Sequence, residues 1–446
     1  MAMSKLAQKA VAAITRLQPD PSEGYLAQRK AEDAAGKLTV ASPRCRIDNL
    51  SVTADDGYEI PCRVFTPLDV DFSLRTGLKV TDDYRGTILF FHGGGWANGD
   101  VDFYSDACMR TALKLERRVV AVEYRRSPEF KFPRPLMDCY NVACALFAKQ
   151  LLPDVRVPRI VLMGDSAGGN LAAGVACLAR DRGDFHPNNM VLLYPLTYSD
   201  HSPATIFDSV RENGEGFILT REAIVDYTDM YINGPEDLEN PLLAPLLTPD
   251  LGNLPRTLVI TAEYDPLRDE GEAFAARLEA DGTEVECVRI RDAVHGYYLY
   301  PSVLSFVRDT YDLLEEFLNT ASPEHGGKGP SGQAAAGPGA AAAAGAAEES
   351  GSAAAGSNVN GAAGAGEAPG VSSVSGEPGK GAAEAAGRGP KHAAAFKGAD
   401  SAADEVPENP LSALLKPVAE SLGLGGAFSQ EGRKRWIKLL GTDSTM

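Results

Sequence analysis

The sequence lacks the patterns that mark a metal-binding, redox-active or membrane-spanning protein. Its seven cysteines are scattered and none forms a Cys-x-x-Cys pair, so neither a zinc site nor a redox centre is predicted. The odd count, with several cysteines in apolar runs, favours buried thiols in a reducing compartment. No run of 18 or more apolar residues occurs, so no segment is expected to cross a membrane.

Positive charge is also scarce. Lys and Arg together number 43 against 61 Asp and Glu, which gives a formal net charge of −18. This balance argues against nonspecific binding to nucleic acid, which requires clustered basic side chains. Near the N-terminus, the longest purely apolar run covers residues 10–14 and is too short for the hydrophobic region of a secretory signal. We therefore expect a cytoplasmic protein.

The most informative stretch that is present is Gly-Asp-Ser-Ala-Gly-Gly-Asn at residues 164–170. An apolar run at 159–163 predicts a buried strand before it, and residues 171–179 predict a buried helix after it. A serine between strand and helix, with glycine two residues before and after, is the G-x-S-x-G pattern of a nucleophile elbow. The alternative is a tight strand-to-helix turn with a capping serine.

A second glycine-rich stretch lies upstream. Residues 86–91 predict a buried strand that runs into His-Gly-Gly-Gly-Trp at 92–96. Three successive glycines leave backbone N–H groups open to a close approach by a ligand. This form of loop supplies oxyanion-hole donors in lipases and esterases, together with the N–H after the serine, here that of Ala167. A flexible glycine turn would explain the glycines but not the elbow that follows.

The order of elements predicts an α/β fold. Candidate strands at 49–53 and 58–65 flank the hairpin signal Asp55-Asp56-Gly57. Further strands are predicted at 87–91, 119–124, 160–164, 190–194, 257–261 and 285–290. Helices are predicted between them at 106–115, 137–151, 171–180 and 270–281. An antiparallel entry followed by alternating strands and helices favours a mostly parallel sheet that is covered on both faces.

These patterns divide the chain into four regions, the last of which is the tail at 406–446. Residues 1–40 have helical spacing and are interpreted as a cap segment, with a pair of surface helices as the alternative. Residues 41–321 are interpreted as the catalytic domain. An insertion at about 197–256, with one predicted helix at 220–232, would place a lid over the site. Residues 322–405 are dominated by Ala and Gly and predict a disordered linker.

The tail at 406–446 regains a pattern of apolar and basic residues. Amphipathic helices are predicted at 411–418 and 429–440, and the second carries Trp436 among basic residues. Such a helix could bind a membrane surface, a protein partner or the acidic domain of its own chain. A solvated helix with no binding role fits the same pattern.

The remaining members of a catalytic triad can be sought by chain order, because in this kind of fold the acid and then the histidine follow the serine. Five histidines follow Ser166, namely His186, His201, His295, His325 and His392. The last two lie in the predicted linker, and the first two come too early for an acid to intervene. His295 follows a predicted strand and is the candidate.

The acid should follow the preceding strand. Asp265 lies just past the strand at 257–261 and is favoured, with Glu263, Asp269 and Glu270 as competitors. Two of these competitors, Asp269 and Glu270, lie where the N-terminus of a helix would favour a carboxylate in any case.

At this point the sequence resembles a known family. His-Gly-Gly-Gly-Trp at 92–96, Gly-Asp-Ser-Ala-Gly-Gly-Asn at 164–170, Asp-Pro-Leu-Arg-Asp-Glu-Gly at 265–271 and His-Gly-Tyr at 295–297 are similar to motifs of the hormone-sensitive-lipase-like carboxylesterases. These belong to the α/β-hydrolase superfamily. The resemblance covers about residues 40–320, and it implies an eight-stranded, mostly parallel sheet with helices on both faces and a helical cap.

The resemblance also implies roles. Ser166 would be the nucleophile, His295 the base and Asp265 the group that orients the imidazole. Gly94 and Gly95 would donate to the oxyanion.

In the same comparison, Gly93 shapes the turn of the oxyanion hole and Ala167 supplies the third donor. The implied reaction is hydrolysis of a small-molecule carboxylic ester, especially a short-acyl ester, through an acyl-enzyme, which requires no cofactor and no metal. An amidase or deacetylase would use the same triad, and a ligand-binding relative would lack the histidine. One departure is Glu-Tyr-Arg-Arg-Ser-Pro-Glu at 123–129, where the family often has Asp-Tyr-Arg-Leu-Ala-Pro-Glu.

Overall fold

A computed structural model of the chain describes residues 5–16, 20–68, 85–320 and 438–439. One sheet of nine strands organises the described residues, and its first eight strands lie in the order β1-β2-β4-β3-β5-β6-β7-β8. Strands β1 and β2 enter antiparallel, and β3 to β8 run parallel. The strands are β1 Cys45–Thr53, β2 Glu59–Pro67, β3 Thr87–Phe91, β4 Arg118–Val122, β5 Ile160–Asp165, β6 Asn189–Leu193, β7 Arg256–Tyr264 and β8 Val285–Val294. The predicted eight-stranded, mostly parallel sheet is confirmed.

The central strands are apolar on both faces because helices cover both faces. In β3, Leu89 and Phe91 point into one core, and Ile88 and Phe90 point into the other. The first core is closed by α4, α5 and α8, and the second by α3 and α9. Their bounds are α3 Ser105–Leu115, α4 Arg134–Phe147, α5 Ala167–Arg182, α8 Arg268–Ala280 and α9 Ser305–Asn319.

Helix α9 is absent from our sequence predictions, although its apolar spacing was available. Val307, Tyr311, Leu314 and Leu318 repeat at three- and four-residue intervals and are buried. The predicted helix at 270–281 begins two residues earlier, at Arg268, so that Asp269 and Glu270 fall in its first turn.

The remaining helices form the cap. Within residues 1–40 the structure has two helices, α1 Lys5–Thr15 and α2 Pro21–Gly36. Asp20 caps α2 and Pro21 occupies its first position, which is the usual arrangement at a helix start. The insertion contributes α6 Asp208–Asn213 and α7 Arg221–Tyr231, with 3-10 turns at Pro235–Glu239 and Pro245–Leu247. Helix α7 confirms the helix predicted at 220–232, and it packs against α2.

The predicted linker at 322–405 and the predicted helix at 411–418 lie outside the described residues. Of the helix predicted at 429–440, the structure describes only Lys438–Leu439, and these two residues form a strand, β9, beside β8. The helix prediction is therefore wrong for these two residues. The physical reason is that β8 would otherwise leave a row of backbone N–H and C=O groups unpaired at the edge of the sheet.

Two further predictions concern cysteines and membrane spans. All seven cysteines lie within the described residues as free thiols, and five of them are buried. Burial raises the pKa of Cys62 to about 12. No helix in the described part of the chain combines the length and the apolar character needed to cross a bilayer.

A buried arginine anchors the stretch at 123–129. The guanidinium of Arg125 donates to Asp138 through Nε (2.8 Å) and Nη2 (2.6 Å), and it also reaches Asp56 through Nη1 (2.7 Å). The side chain of Asp138 is fully buried. Its charge therefore depends on Arg125 for compensation.

We expect Arg125→Met to destabilise the protein strongly, because it leaves Asp138 buried and uncompensated. A loss of about 3–5 kcal/mol in the free energy of unfolding is expected, measured by urea denaturation. The matched control is Arg46→Met, which removes an ion pair with Asp48 whose two side chains are 48% and 43% exposed. That control should cost less than about 1 kcal/mol. Equal, small losses in both variants would contradict the role assigned to Arg125.

Candidate active site

Ser166 lies at the junction of β5 and α5 in a strained conformation. Its φ is 55° and its ψ is −122°, a region that side-chain-bearing residues rarely adopt. The flanking glycines are required by close backbone contacts. A Cβ on Gly164 would lie 2.1 Å from the carbonyl oxygen of Gly168, and one on Gly168 would lie 2.0 Å from that of Phe91. The strand–turn–helix context predicted for G-x-S-x-G is therefore confirmed.

The three predicted triad residues meet at this turn. His295 follows the end of β8, and its Nε2 lies 2.8 Å from Ser166 Oγ. Its Nδ1 lies 2.7 Å from Asp265 Oδ2. Asp265 follows β7, is fully buried, and accepts a second hydrogen bond from the N–H of Leu267 (2.9 Å) on its other oxygen. With Nδ1–H donating to the carboxylate, the Nε2 lone pair faces the serine hydroxyl.

Two of the competing carboxylates are engaged elsewhere. Glu263 Oε2 accepts from the backbone N–H of Asp292 (2.8 Å), which holds the irregular end of β8. Asp269 Oδ2 accepts from the backbone N–H of Ser209 (2.8 Å) in the cap. Both residues therefore brace loops around the triad.

The third competitor forms a separate buried pair. Glu270 Oε2 lies 2.7 Å from Nε2 of His201, and both residues are buried. This pair accounts for His201, and His186 is exposed between α5 and β6. His325 and His392 lie outside the described residues.

The glycine loop divides into two parts. The N–H of Gly93 donates to Asp165 Oδ1 (2.9 Å), so Gly93 shapes the turn and is not part of the wall of the cavity. Gly94 and Gly95 do line the cavity beside Ser166, as does Ala167. Ala167 is the first residue of α5, where a backbone N–H has no partner within its own helix.

Asp165 connects the elbow to the glycine loop. Besides Gly93, it accepts from the hydroxyl of Tyr104 (3.0 Å), and Tyr194 lies 3.4 Å away. Burial raises the pKa of Asp165 to about 6, and these donors oppose that rise. Sequence reasoning missed both tyrosines. Tyr194 ends a predicted strand next to the site, whereas nothing in the sequence around Tyr104 indicates this contact.

His92 is a structural residue of the loop. Burial lowers its pKa to about 3, so the imidazole stays neutral. Its Nδ1 lies 2.8 Å from the carbonyl oxygen of Gly93, and its ring stacks on Tyr124 with centroids 4.2 Å apart. The histidine thus stiffens the start of the glycine loop.

A cavity of about 650 Å³ opens above Ser166 and His295. The cap covers it with Ala27 and Ala31 from α2 and with Ile224 from α7, so its wall is largely apolar. That size and lining are typical of a site for a small organic molecule. Among the residues that the structure describes, no group of three or more His, Cys, Asp or Glu side chains is arranged to hold a metal ion.

Comparison with known proteins agrees with this geometry. A family model described as the alpha/beta hydrolase fold matches residues 88–299. An arylesterase of Saccharolobus solfataricus is 33% identical over 273 residues, which cover 60% of this chain and 83% of the relative. The chain belongs to the hormone-sensitive-lipase-like carboxylesterases of the α/β-hydrolase superfamily. Carboxylesterase NlhH of Mycobacterium tuberculosis, at 33% identity, matches 59% of this carboxylesterase chain and 78% of its own length.

Solved structures place this carboxylesterase in the same fold. A hyperthermophilic esterase from the archaeon Pyrobaculum calidifontis is 31% identical and superposes with a TM-score of 0.63. The match covers 71% of this chain and 98% of that one. The Ala/Gly-rich stretch at 322–405 lies outside the described residues, as does the tail except for Lys438–Leu439.

The raised pKa of Asp165 predicts a pH-dependent stability. A carboxyl whose pKa is higher in the folded state than in the unfolded state stabilises the fold below its unfolded pKa, and that contribution is lost as pH rises through about 6. Asp165→Asn removes this titration. We expect the free energy of unfolding of the variant, relative to wild type, to improve by about 2 kcal/mol between pH 4 and pH 7.

The measurement is urea denaturation of both proteins at several pH values in this range. Asp309→Asn in α9 is the matched control, because its side chain is 41% exposed and forms an ion pair with the exposed Arg308. Its difference from wild type should stay constant with pH. A constant difference for Asp165→Asn as well would refute the assignment.

Proposed function

We propose that Ser166, His295 and Asp265 form the catalytic triad of this esterase and that Gly94, Gly95 and Ala167 bind the oxyanion. As a member of the carboxylesterase family, the chain is a carboxylic-ester hydrolase. The proposal rests above all on the continuous chain of hydrogen bonds from Asp265 through His295 to Ser166. We also propose a reducing, cytoplasmic location for the protein, which its seven free thiols support.

Acylation begins when the Ser166 hydroxyl attacks the ester carbonyl. His295 Nε2 accepts the hydroxyl proton, and Asp265 holds the imidazole in this tautomer and stabilises the imidazolium that forms. The tetrahedral intermediate then collapses. His295 returns the proton to the departing alcohol, and the acyl group remains on Ser166.

The glycine loop and the start of α5 act on the charge that develops during this step. In this proposal the N–H groups of Gly94, Gly95 and Ala167 donate to the carbonyl oxygen as it becomes an oxyanion, and one such donor is worth about 3 kcal/mol. The α5 N-terminus adds a positive backbone end. Water repeats the sequence on the acyl-enzyme with His295 again as base, which releases the acid and restores the serine.

The substrate class follows from the cavity. Its apolar wall suits the acyl and alcohol groups of an uncharged ester, and its cap limits the length that both groups together can occupy. The relative named arylesterase supports an aromatic alcohol group. We therefore propose short-acyl aryl esters as substrates.

Removing the nucleophile tests the triad. We expect Ser166→Ala to lower kcat by at least about 10⁴-fold with the fold intact, and Asp265→Asn to lower it by about 10⁴-fold because the imidazole loses the correct tautomer. The assay is hydrolysis of p-nitrophenyl butyrate, with circular dichroism to verify folding. A fluorophosphonate probe should label wild type but not Ser166→Ala.

Ser202→Ala is the matched control, because Ser202 lies in the cap insertion and contacts none of the triad residues. It should be labelled and active like wild type. Turnover by Ser166→Ala at the wild-type rate would reject the assignment.

A series of esters tests the substrate class. We expect p-nitrophenyl esters from acetyl to hexanoyl to be hydrolysed with at least about tenfold higher kcat/KM than the dodecanoyl ester, because the long chain must displace the cap. Anilides with the same acyl groups test the amidase alternative. Faster hydrolysis of the anilides, or a preference for the longest acyl chain, would overturn this proposal.

A further inference from the structure

Three consecutive residues after the glycine loop are each held by a side chain of the cap. Ala97, Asn98 and Gly99 leave the loop and lead towards α3, in the body of the enzyme. Each forms a hydrogen bond with a residue of α2 or α7, although those helices lie in separate parts of the sequence. We call residues 97–99 the loop exit.

Arg29 of α2 holds the first position. Its Nε donates to the carbonyl oxygen of Ala97 (2.7 Å), and its Nη2 donates to that of Ser127 (2.6 Å). Ser127 in turn donates its N–H to the carbonyl oxygen of Trp96 (2.9 Å). Glu129 completes the arrangement by accepting from both terminal nitrogens of Arg29, at 2.9 and 3.0 Å. A planar guanidinium with this many partners fixes direction as well as distance.

Glu32 and Tyr227 hold the other two positions. Glu32 Oε2 accepts from the N–H of Gly99 (2.8 Å), and the Tyr227 hydroxyl accepts from Nδ2 of Asn98 (2.9 Å). Gln28 links the two helices, because its amide donates to Glu32 (2.9 Å) and accepts from Tyr227 (3.4 Å). Burial raises the pKa of Glu32, and the hydrogen bond from Gly99 opposes that rise.

The loop exit is in direct contact with the oxyanion donors. The carbonyl oxygen of Gly94 accepts from the N–H groups of Ala97 (3.1 Å) and Asn98 (2.7 Å). A Cβ on Gly94 would lie 2.2 Å from the carbonyl oxygen of Asn98, so the two backbones touch. The ring of Tyr227 packs on Gly95, where a Cβ would lie 2.3 Å from the ring carbon Cγ. A shift of the exit therefore shifts Gly94 and Gly95.

We propose that Arg29, Glu32 and Tyr227 are positioning residues that hold the oxyanion donors in place, so that the hole is complete only while α2 and α7 are docked. This inference rests on the proposed function, since it assigns the same glycine loop to the oxyanion. These three cap residues then position the oxyanion donors, while the cap also forms part of the wall of the cavity.

A role in forming the cavity alone would not explain these contacts. Arg29 is not part of the wall of the cavity, yet it makes two hydrogen bonds to backbone carbonyls at and beyond the loop exit. The carboxylate of Glu32 and the hydroxyl of Tyr227 are directed at the exit residues. The C-terminus of α2 also packs closely on the body of the enzyme, because a Cβ on Gly36 would lie 2.7 Å from the backbone of Asp102.

The test compares kcat and KM of cap variants with p-nitrophenyl butyrate. Arg29→Met, Glu32→Ala and Tyr227→Phe should each lower kcat about tenfold, with KM within about threefold of wild type, because a misplaced donor weakens binding of the transition state more than of the substrate. Glu32→Gln keeps an acceptor oxygen for Gly99 and should recover most of the loss. Second-order inactivation by a fluorophosphonate should slow in parallel with kcat.

Rates are normalised to active sites titrated to completion with the fluorophosphonate, which removes the effect of misfolded protein. Lys30→Met on the exposed face of α2 is the matched control and should behave as wild type. Unchanged kcat per active site, a rise in KM alone, or an equal loss in Lys30→Met would each overturn the inference.

Ser166→Ala is assayed in parallel. If that variant stays active, the proposed function itself fails, whereas inert cap variants beside an inactive Ser166→Ala refute only the role of the cap.

Discussion

The backbone contact between the elbow and the end of β3 organises the whole site. Strands β3 and β5 are neighbours, with Phe91 opposite Gly164, so the glycine loop and the elbow leave the sheet side by side. Gly168 then packs directly against the carbonyl of Phe91, closer than any side chain would permit. Because both loops share this contact, the pairing of two strands places the proposed nucleophile beside the proposed oxyanion donors.

This arrangement includes a strained backbone and a buried charge, and neighbouring groups must offset the free energy that both cost. Ser166 adopts a strained backbone conformation, and Asp165 places a carboxylate in the interior next to it. The N–H of Gly93 and the hydroxyl of Tyr104 compensate that carboxylate, and the same hydrogen bonds tie the elbow to the glycine loop. The rise in the pKa of Asp165 shows that the compensation is incomplete. Stability and the geometry of the site therefore depend on the same few contacts.

The parts that could be predicted from sequence are those whose cause is local. Gly164 and Gly168 are required by one tight turn, and the alternation of strands and helices follows from apolar patterning. The place of Asp265 just past a strand favours it over Glu263, whereas the contact that engages Glu263, with the N–H of Asp292 29 positions away, leaves no local signal. The hydrogen bond between Arg29 and Ala97 joins residues 68 positions apart, and an arginine on a polar helix carries no sign of such a partner.

The cap shows why such contacts matter for function. Helix α2 precedes the sheet and α7 is inserted after β6, so two separate segments converge on one backbone turn of three residues. The same helices carry apolar side chains into the cavity and polar side chains to the loop exit. If the loop exit sets the oxyanion donors, a change that reshapes the cavity through α2 or α7 also disturbs the placement of those donors. Substrate preference and turnover would then be coupled through Glu32 and Tyr227, which belong to the cavity wall and to the loop contacts at once.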